Sequence, residues 1–123
     1  MKKLLLLLPL IMLSSCYENE RRCTDFQTGT FQFEFDVEGV KKKTTFVRTK
    51  DMEIDYYNGK ADTSTVRWVS DCEYIVQKLH PKNMQEKKAI AMKILSTSNN
   101  SYTFEFGIVG SDNKQRGTVT KIK

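Results

Sequence analysis

Residues 31–38, Phe-Gln-Phe-Glu-Phe-Asp-Val-Glu, alternate strictly between apolar and polar side chains. Successive side chains of a β-strand point to opposite faces of a sheet, so four apolar residues share one face and four polar residues share the other. We expect one face of this strand to pack in a core and the other to meet solvent. The stretch is therefore taken as the first strand of the fold.

Short stretches of similar character follow, and turn residues separate them. Asn58-Gly59 is the strongest turn signal, because both residues tolerate the positive φ of a type I′ hairpin turn. His80-Pro81 marks a loop, since proline has no backbone N–H to donate. The remaining strands are expected at 43–49, 52–57, 65–69, 73–79, 89–95, 102–108 and 118–122.

Eight short strands at regular spacing predict an all-β fold, a small antiparallel up-and-down barrel whose closure leaves no open edge. Because a short barrel has a narrow interior, we expect side chains to fill most of it. One stretch is ambiguous, since residues 84–92 are rich in helix formers and also fit a short helix. The alternation of Ile90, Met92 and Ile94 favours a strand there.

The N-terminus has the three-part layout of an exported lipoprotein. Lys2 and Lys3 precede an apolar run at 4–13, which has about half of the roughly 20 residues that span a bilayer. Leu13-Ser14-Ser15-Cys16 resembles a bacterial lipobox, in which cleavage precedes a cysteine that carries diacylglycerol. An ordinary signal peptide that happens to precede a cysteine is the alternative. The expected organisation is a signal peptide at 1–15, a tether at 16–27 with lipid on Cys16, and a β-barrel domain at 28–123.

The three cysteines then separate into one lipid site and one pair. If Cys16 carries lipid, Cys23 and Cys72 remain as an even pair in an oxidising compartment, which predicts a disulfide between them. Two unpaired buried thiols are the alternative. A zinc site is not expected, because the single histidine, His80, precedes a proline in a turn and no further ligands accompany the cysteines.

Three stretches of the chain resemble a group of small uncharacterised bacterial lipoproteins of lipocalin-like type. They are Cys23-Thr24-Asp25-Phe26-Gln27-Thr28-Gly29-Thr30-Phe31, Thr65-Val66-Arg67-Trp68-Val69-Ser70-Asp71-Cys72-Glu73-Tyr74 and Lys93-Ile94-Leu95-Ser96-Thr97. Some members carry a DNA topoisomerase IV label, which the 108 residues from Cys16 onward do not support, since they cannot house an ATPase domain. Gly29-Thr30-Phe31 is similar to the Gly-x-Trp opening of lipocalins, and the resemblance implies that a late arginine, Arg116, packs on Phe31.

Aromatic side chains that alternate along the predicted strands are the candidates for lining a ligand cavity. Ligand pockets are mostly apolar with a few polar groups. The competing interpretation is that the same rings fill the core. The candidates are Phe31, Phe33, Phe35, Trp68, Tyr74, Tyr102, Phe104 and Phe106.

Charged clusters are interpreted as solvated surfaces. Asp51, Glu53 and Asp55 share one strand face, where they could gather calcium but more commonly pair with basic residues such as Arg48 or Arg67. Lys41-Lys42-Lys43 could meet anionic headgroups, although a solvated hairpin end is the simpler interpretation. No metal or other cofactor is expected.

The sequence favours a binding protein over an enzyme. No nucleophile elbow, phosphate loop or nucleophile–base pair is recognisable, so no catalytic residue is assigned. Without residues 1–15 the net charge of +5 falls to +3, and no arginine patch or reader motif suggests a nucleic-acid partner. Two hypotheses remain: a lipocalin-like module for a small apolar ligand, or a filled barrel that binds an unidentified protein as an inhibitor or assembly partner.

The expected location is the bacterial cell envelope, where the covalent lipid makes the membrane the first partner. Tyr17, instead of aspartate, follows the anchor cysteine. This resembles the sorting preference for an outer membrane, on its periplasmic or surface face. An open apolar hollow of a few hundred Å³ would favour the ligand-binding hypothesis, and a filled interior would favour the protein-binding one.

Overall fold

The computed structural model describes residues 21–123, so the predicted signal peptide and the lipid site Cys16 lie outside the described residues. A short 3₁₀ helix at Cys23–Phe26 precedes the strands. The strands are β1 (Gly29–Val37), β2 (Val40–Arg48), β3 (Met52–Tyr57), β4 (Lys60–Trp68), β5 (Glu73–Lys78), β6 (Ile90–Thr97), β7 (Ser101–Ile108) and β8 (Gln115–Lys121).

The eight strands form a closed antiparallel barrel in sequential order, which confirms the predicted fold. Each strand pairs with the next, and β1 pairs with β8 to close the sheet. The closing seam is short and consists of three residue pairs, Phe31–Lys121, Gln32–Thr120 and Phe33–Val119. Closure pairs the backbone donors and acceptors at residues 31–33 of β1 and 119–121 of β8, which an open sheet would leave exposed.

The hairpin turns follow the sequence signals. Asn58 and Gly59 have φ of 49° and 73°, the left-handed conformation expected of a type I′ turn. Glu38 and Gly39 form an equivalent turn between β1 and β2, with φ of 51° and 79°. These two tight turns fix the register within the β1–β2 and β3–β4 hairpins.

The stretch at 84–92 contains no helix, so that alternative is wrong. Residues 84–87 form turns, and β6 begins at Ile90. β6 pairs with both β5 and β7, and these backbone hydrogen bonds outweigh the helix propensity of its neighbouring residues.

The up-and-down topology gives the barrel two distinct ends. We call the end that carries the connections 38–39, 58–59, 79–89 and 109–114 the mouth, and the opposite end, which carries 49–51, 69–72 and 98–100, the closed end. The 3₁₀ helix lies at the closed end, since the carbonyl of Phe26 accepts a hydrogen bond from Arg48 at the last position of β2. The chain therefore enters the barrel at the end opposite the mouth.

The closed end is sealed by residues that were predicted to belong to the tether. Cys23 and Phe26 are each only 2% exposed, because the 3₁₀ helix turns both side chains into the barrel. The predicted disulfide between Cys23 and Cys72 is present and ties this helix to the β4–β5 connection. Because Cys23 and Phe26 belong to the core, the folded domain begins before residue 28. The sequence pattern does not indicate this, since a single helical turn is too short to show a period in its polarity.

The predicted contact between Arg116 and Phe31 is wrong. Arg116 pairs with Glu105 on the outer face of the barrel and is exposed. The cation from the last strand that lies near Phe31 is Lys121, whose Nζ is 6.0 Å from the ring centroid and donates a hydrogen bond of 2.7 Å to the Asp25 carbonyl. Lys121 lies opposite Phe31 in the seam, whereas Arg116 is five residues up the strand.

Candidate binding cavity

A single buried arginine forms the floor of the barrel interior. Arg48 is 2% exposed. Its Nη1 donates a hydrogen bond of 2.8 Å to the Phe26 carbonyl, and its Nε donates one of 3.1 Å to Glu53 Oε1. Its Nη2 donates hydrogen bonds of 2.8 Å and 2.9 Å to the hydroxyls of Tyr74 and Tyr102. These four bonds join the closed-end helix to strands β2, β3, β5 and β7.

Aromatic faces complete the surroundings of this guanidinium. Its Cζ lies 4.6 Å from the ring centroid of Tyr74 and 4.9 Å from that of Phe31, distances at which cation–π attraction operates. Burial raises the pKa of the Tyr74 phenol well above its ordinary value, against the opposing effect of the Arg48 charge. Since the pKa of Arg48 is raised as well, the guanidinium stays charged and the Tyr74 phenol stays neutral at neutral pH.

The predicted solvated face of acidic residues is wrong for two of its three members. Glu53 is 9% exposed and forms an ion pair of 3.1 Å with Arg48, while Asp55 lines the interior beside it. Asp51 precedes β3 and is exposed. The expected partnership with Arg48 is present, but it forms inside the barrel. Within residues 21–123, no group of three His, Cys, Asp or Glu side chains is placed to hold a metal ion.

Above the Arg48 floor the interior is hollow, contrary to the prediction of a largely filled barrel. We call this space, of about 200 Å³, the inner cavity. Aromatic rings from β1 and β7 form one wall, and Glu53 and Asp55 of β3 form part of the other. Gly117 of β8 makes room for two of the rings, since a Cβ there would lie 2.9 Å from both Phe33 and Phe104.

A second hollow, the outer cavity of about 370 Å³, lies between the inner cavity and the β5–β6 connection. Glu53, Asp55 and Met92 line both hollows, so the two adjoin. The other walls are apolar side chains of β5, β6 and β7 together with polar groups near the mouth: Val76, Ile90, Ile108, Ser64, Lys78, Gln85, Glu86 and Lys88. Their combined size suits a small ligand.

The segment 79–89 covers the outer cavity and is held by one ion-pair cluster. Lys78 Nζ lies 2.8 Å from Glu86 Oε1 and 2.9 Å from Asp62 Oδ2, and both contacts raise the pKa of Lys78. Gln77 Nε2 also donates a hydrogen bond of 3.0 Å to the Lys87 carbonyl. These side-chain contacts fasten the cover at its base, while Met84 near its centre is 74% exposed.

Asp55 differs from the other acidic groups that line the cavities because it forms no ion pair with any residue of the described range 21–123. Glu53 pairs with Arg48, and Glu86 pairs with Lys78. Burial, together with the neighbouring negative charges of Glu53 and Asp62, raises the pKa of Asp55 to about 7, against the opposing effect of Arg48 and Lys78. The cavities thus present one carboxyl group that gains or loses its proton near neutral pH.

The structure brings five of the predicted lining residues to the inner cavity and leaves three elsewhere. Phe31 is fully buried below the cavity. Phe35 lies toward the mouth, where its ring is tilted against that of Tyr57 with the two centroids 5.9 Å apart, and the ring centroids of Trp68 and Tyr74 are 4.4 Å apart. The indole Nε1 of Trp68 is buried and has no hydrogen-bond partner among residues 21–123. The five that line the inner cavity are Phe33, Tyr74, Tyr102, Phe104 and Phe106.

Sequence reasoning missed the polar half of the site. The signal was present, because β2 alternates and places Arg48 on the same face as Phe46, and β3 pairs Asp55 with Phe46. Ser64 shares its strand face with Val66 in the same way. The sequence alone places the acidic residues of β3 in solvent, because buried charges are uncommon unless they are paired.

Within residues 21–123 no helix is long and apolar enough to cross a bilayer. Comparison with known proteins adds no relative: no family model, curated protein or solved structure matches the chain.

Proposed function

We propose that this protein is a non-catalytic binding module whose barrel holds a small amphiphile, with the apolar part against the aromatic wall and a hydrogen-bond-donating or basic end near Asp55. The observation that carries the proposal is the pair of adjoining cavities above the Arg48 floor. A protein-binding barrel needs no interior space, whereas a ligand carrier does.

The distribution of polar groups supports the orientation of the ligand. Four of the five N–H groups of Arg48 are already used, so the arginine is poorly placed to bind a carboxylate or phosphate. Of the carboxyl groups that line the cavities within residues 21–123, Glu53 and Glu86 are in ion pairs and Asp55 is not, and Asp55 accepts hydrogen bonds when ionised. A ligand amine or hydroxyl beside Asp55 supplies the missing donor.

The test is binding of the neutral fluorescent probe N-phenyl-1-naphthylamine, whose emission rises in apolar surroundings. The probe is expected to bind the wild-type protein and to lose at least about tenfold in affinity in Met92→Trp, because Met92 lines both cavities. Lys93→Trp is the matched control, since Lys93 is the next residue of β6 and is exposed. Equal probe binding by the two variants, or none by the wild type, would overturn the proposal.

A series with one chain length tests the polar end. Dodecylamine is expected to displace the probe at the lowest concentration, dodecanol at a higher one, and dodecanoate at the highest, since a second carboxylate repels Asp55. Asp55→Asn is expected to level the series. If dodecanoate binds best, the ligand still occupies the barrel but its orientation is the reverse of the one proposed.

We further propose that the protein is a lipoprotein of the cell envelope, anchored to an outer membrane through Cys16 and related to the lipocalin-like lipoproteins that its sequence resembles. The lipobox-like stretch and the closed barrel support this assignment. Metabolic labelling with a radioactive fatty acid tests it. The wild type should carry the label and Cys16→Ser should not, whereas label on both would place the lipid elsewhere.

A further inference from the structure

The exposed apolar side chains of the barrel concentrate at the mouth. Of the nine large hydrophobic residues that are exposed within residues 21–123, seven lie on the stretches that surround it, and only Val69 and Ile122 lie at the closed end. We call these seven the mouth ring: Val37, Val40, Tyr56, Tyr57, Leu79, Met84 and Val109.

Lysines accompany the mouth ring. In the stretches 36–42, 56–61, 79–89 and 109–115, seven lysines are exposed but only three acidic residues, Asp36, Glu38 and Asp112. The fourth acidic residue there, Glu86, is half-buried and paired with Lys78. The mouth therefore carries an excess of positive charge among its apolar tips. The lysines are Lys41, Lys42, Lys60, Lys82, Lys87, Lys88 and Lys114.

From this combination we infer that the mouth ring docks on the surface of an anionic lipid bilayer. Apolar and tyrosine side chains on separate hairpin tips enter the boundary between headgroups and acyl chains, and the lysines reach the phosphates. Their positive charge complements the negative surface of a membrane that contains acidic phospholipids. A protein partner fits less well, because lysine is depleted in protein–protein interfaces.

The shape of the mouth agrees with a lipid surface. Each hairpin contributes one or two apolar residues, and the ring centroids of Phe35 and Tyr57 lie 5.9 Å apart, which links the β1–β2 and β3–β4 hairpins. Four separate tips around a cavity can enter a soft interface together, whereas a rigid protein surface would need a matching protrusion.

Vesicle cosedimentation tests the inference with the chain from position 16 onward that carries Cys16→Ser, so that no acyl chain holds it to the bilayer. Every strand and every core residue lies within this chain. It is expected to bind vesicles of phosphatidylcholine with roughly one-third phosphatidylglycerol at least about tenfold more tightly than pure phosphatidylcholine vesicles. Equal binding to both, or to neither, would overturn the inference.

A matched pair of variants locates the contact. Val40→Ser with Met84→Ser removes apolar side chains from the mouth ring and is expected to lower vesicle binding at least about fivefold. Val69→Ser with Ile122→Ser makes the same change at the closed end and is expected to leave binding within about twofold. An equal loss in both would mean that the bilayer contact is not at the mouth. Cosedimentation measures the docking whether or not the cavities hold a ligand, so it is independent of the proposed function.

Discussion

Replacing Arg48 with methionine tests the role of the buried floor. Methionine keeps most of the length of the side chain but removes the charge and all donors. The Glu53 carboxylate then remains buried without its ion pair of 3.1 Å, and the hydroxyls of Tyr74 and Tyr102 and the Phe26 carbonyl lose a donor. Removing one partner of a buried pair costs about 3–5 kcal/mol, so we expect the free energy of unfolding to fall by about 4 kcal/mol.

This loss is large beside the roughly 5–15 kcal/mol by which folded domains are stable. The measurement is urea unfolding, followed by the fluorescence of the single tryptophan, Trp68, which packs against Tyr74 at the floor. Adding Glu53→Gln removes the uncompensated charge, and we expect the double variant to regain about 1–2 kcal/mol.

The control is Arg67→Met on the outer face of β4, where Arg67 is exposed. Its free energy of unfolding should remain within about 0.5 kcal/mol of the wild type. If Arg48→Met costs no more than Arg67→Met, or if Glu53→Gln makes it worse, the guanidinium does not hold the floor together.

Three further predictions concern stability. In urea titrations Asp55→Asn should be about 2 kcal/mol more stable than the wild type at pH 8 and equal to it near pH 4. The pKa of Asp55 is raised from 3.8 to about 7, so the wild type loses folding stability as the pH rises, and partial solvent access halves the full effect. A wild type that becomes more stable relative to Asp55→Asn as the pH rises would contradict this. Replacing Cys23 and Cys72 together by serine should cost about 3–4 kcal/mol, since the bridge closes a loop of 49 residues, and a thermal melt unchanged from that of the wild type would contradict it. Gly117→Ala should cost about 1–3 kcal/mol by crowding two phenylalanine rings, whereas Thr118→Ala on the outer face should be nearly neutral by the same melt.

The sequence was sufficient to predict the barrel because its strands are amphipathic and its turns carry specific residues. The alternation around Phe33 and the positive-φ pair at Asn58 each report a local backbone preference, which the surrounding protein did not override. The 3₁₀ helix at Cys23–Phe26 escaped prediction because one helical turn is too short to show a period.

The candidate site was only half predictable. Aromatic residues such as Phe104 and Tyr102 follow from the strand faces, but the depth of each along the barrel does not, so Phe31 below the cavity could not be told from Phe33 within it. The empty space itself depends on the strand tilt and on the glycine at 117, which are properties of the closed sheet.

The short seam between β1 and β8 has a consequence for how the molecule is made. Its pairs join Phe31 with Lys121, 90 residues apart in the sequence, and contacts of such long range form slowly. A sheet that lacks the β8 contacts has unpaired edges at β1 and β7, and such edges can pair with other molecules. Correct folding of this protein therefore depends on preventing self-association of the open sheet until β1 pairs with β8.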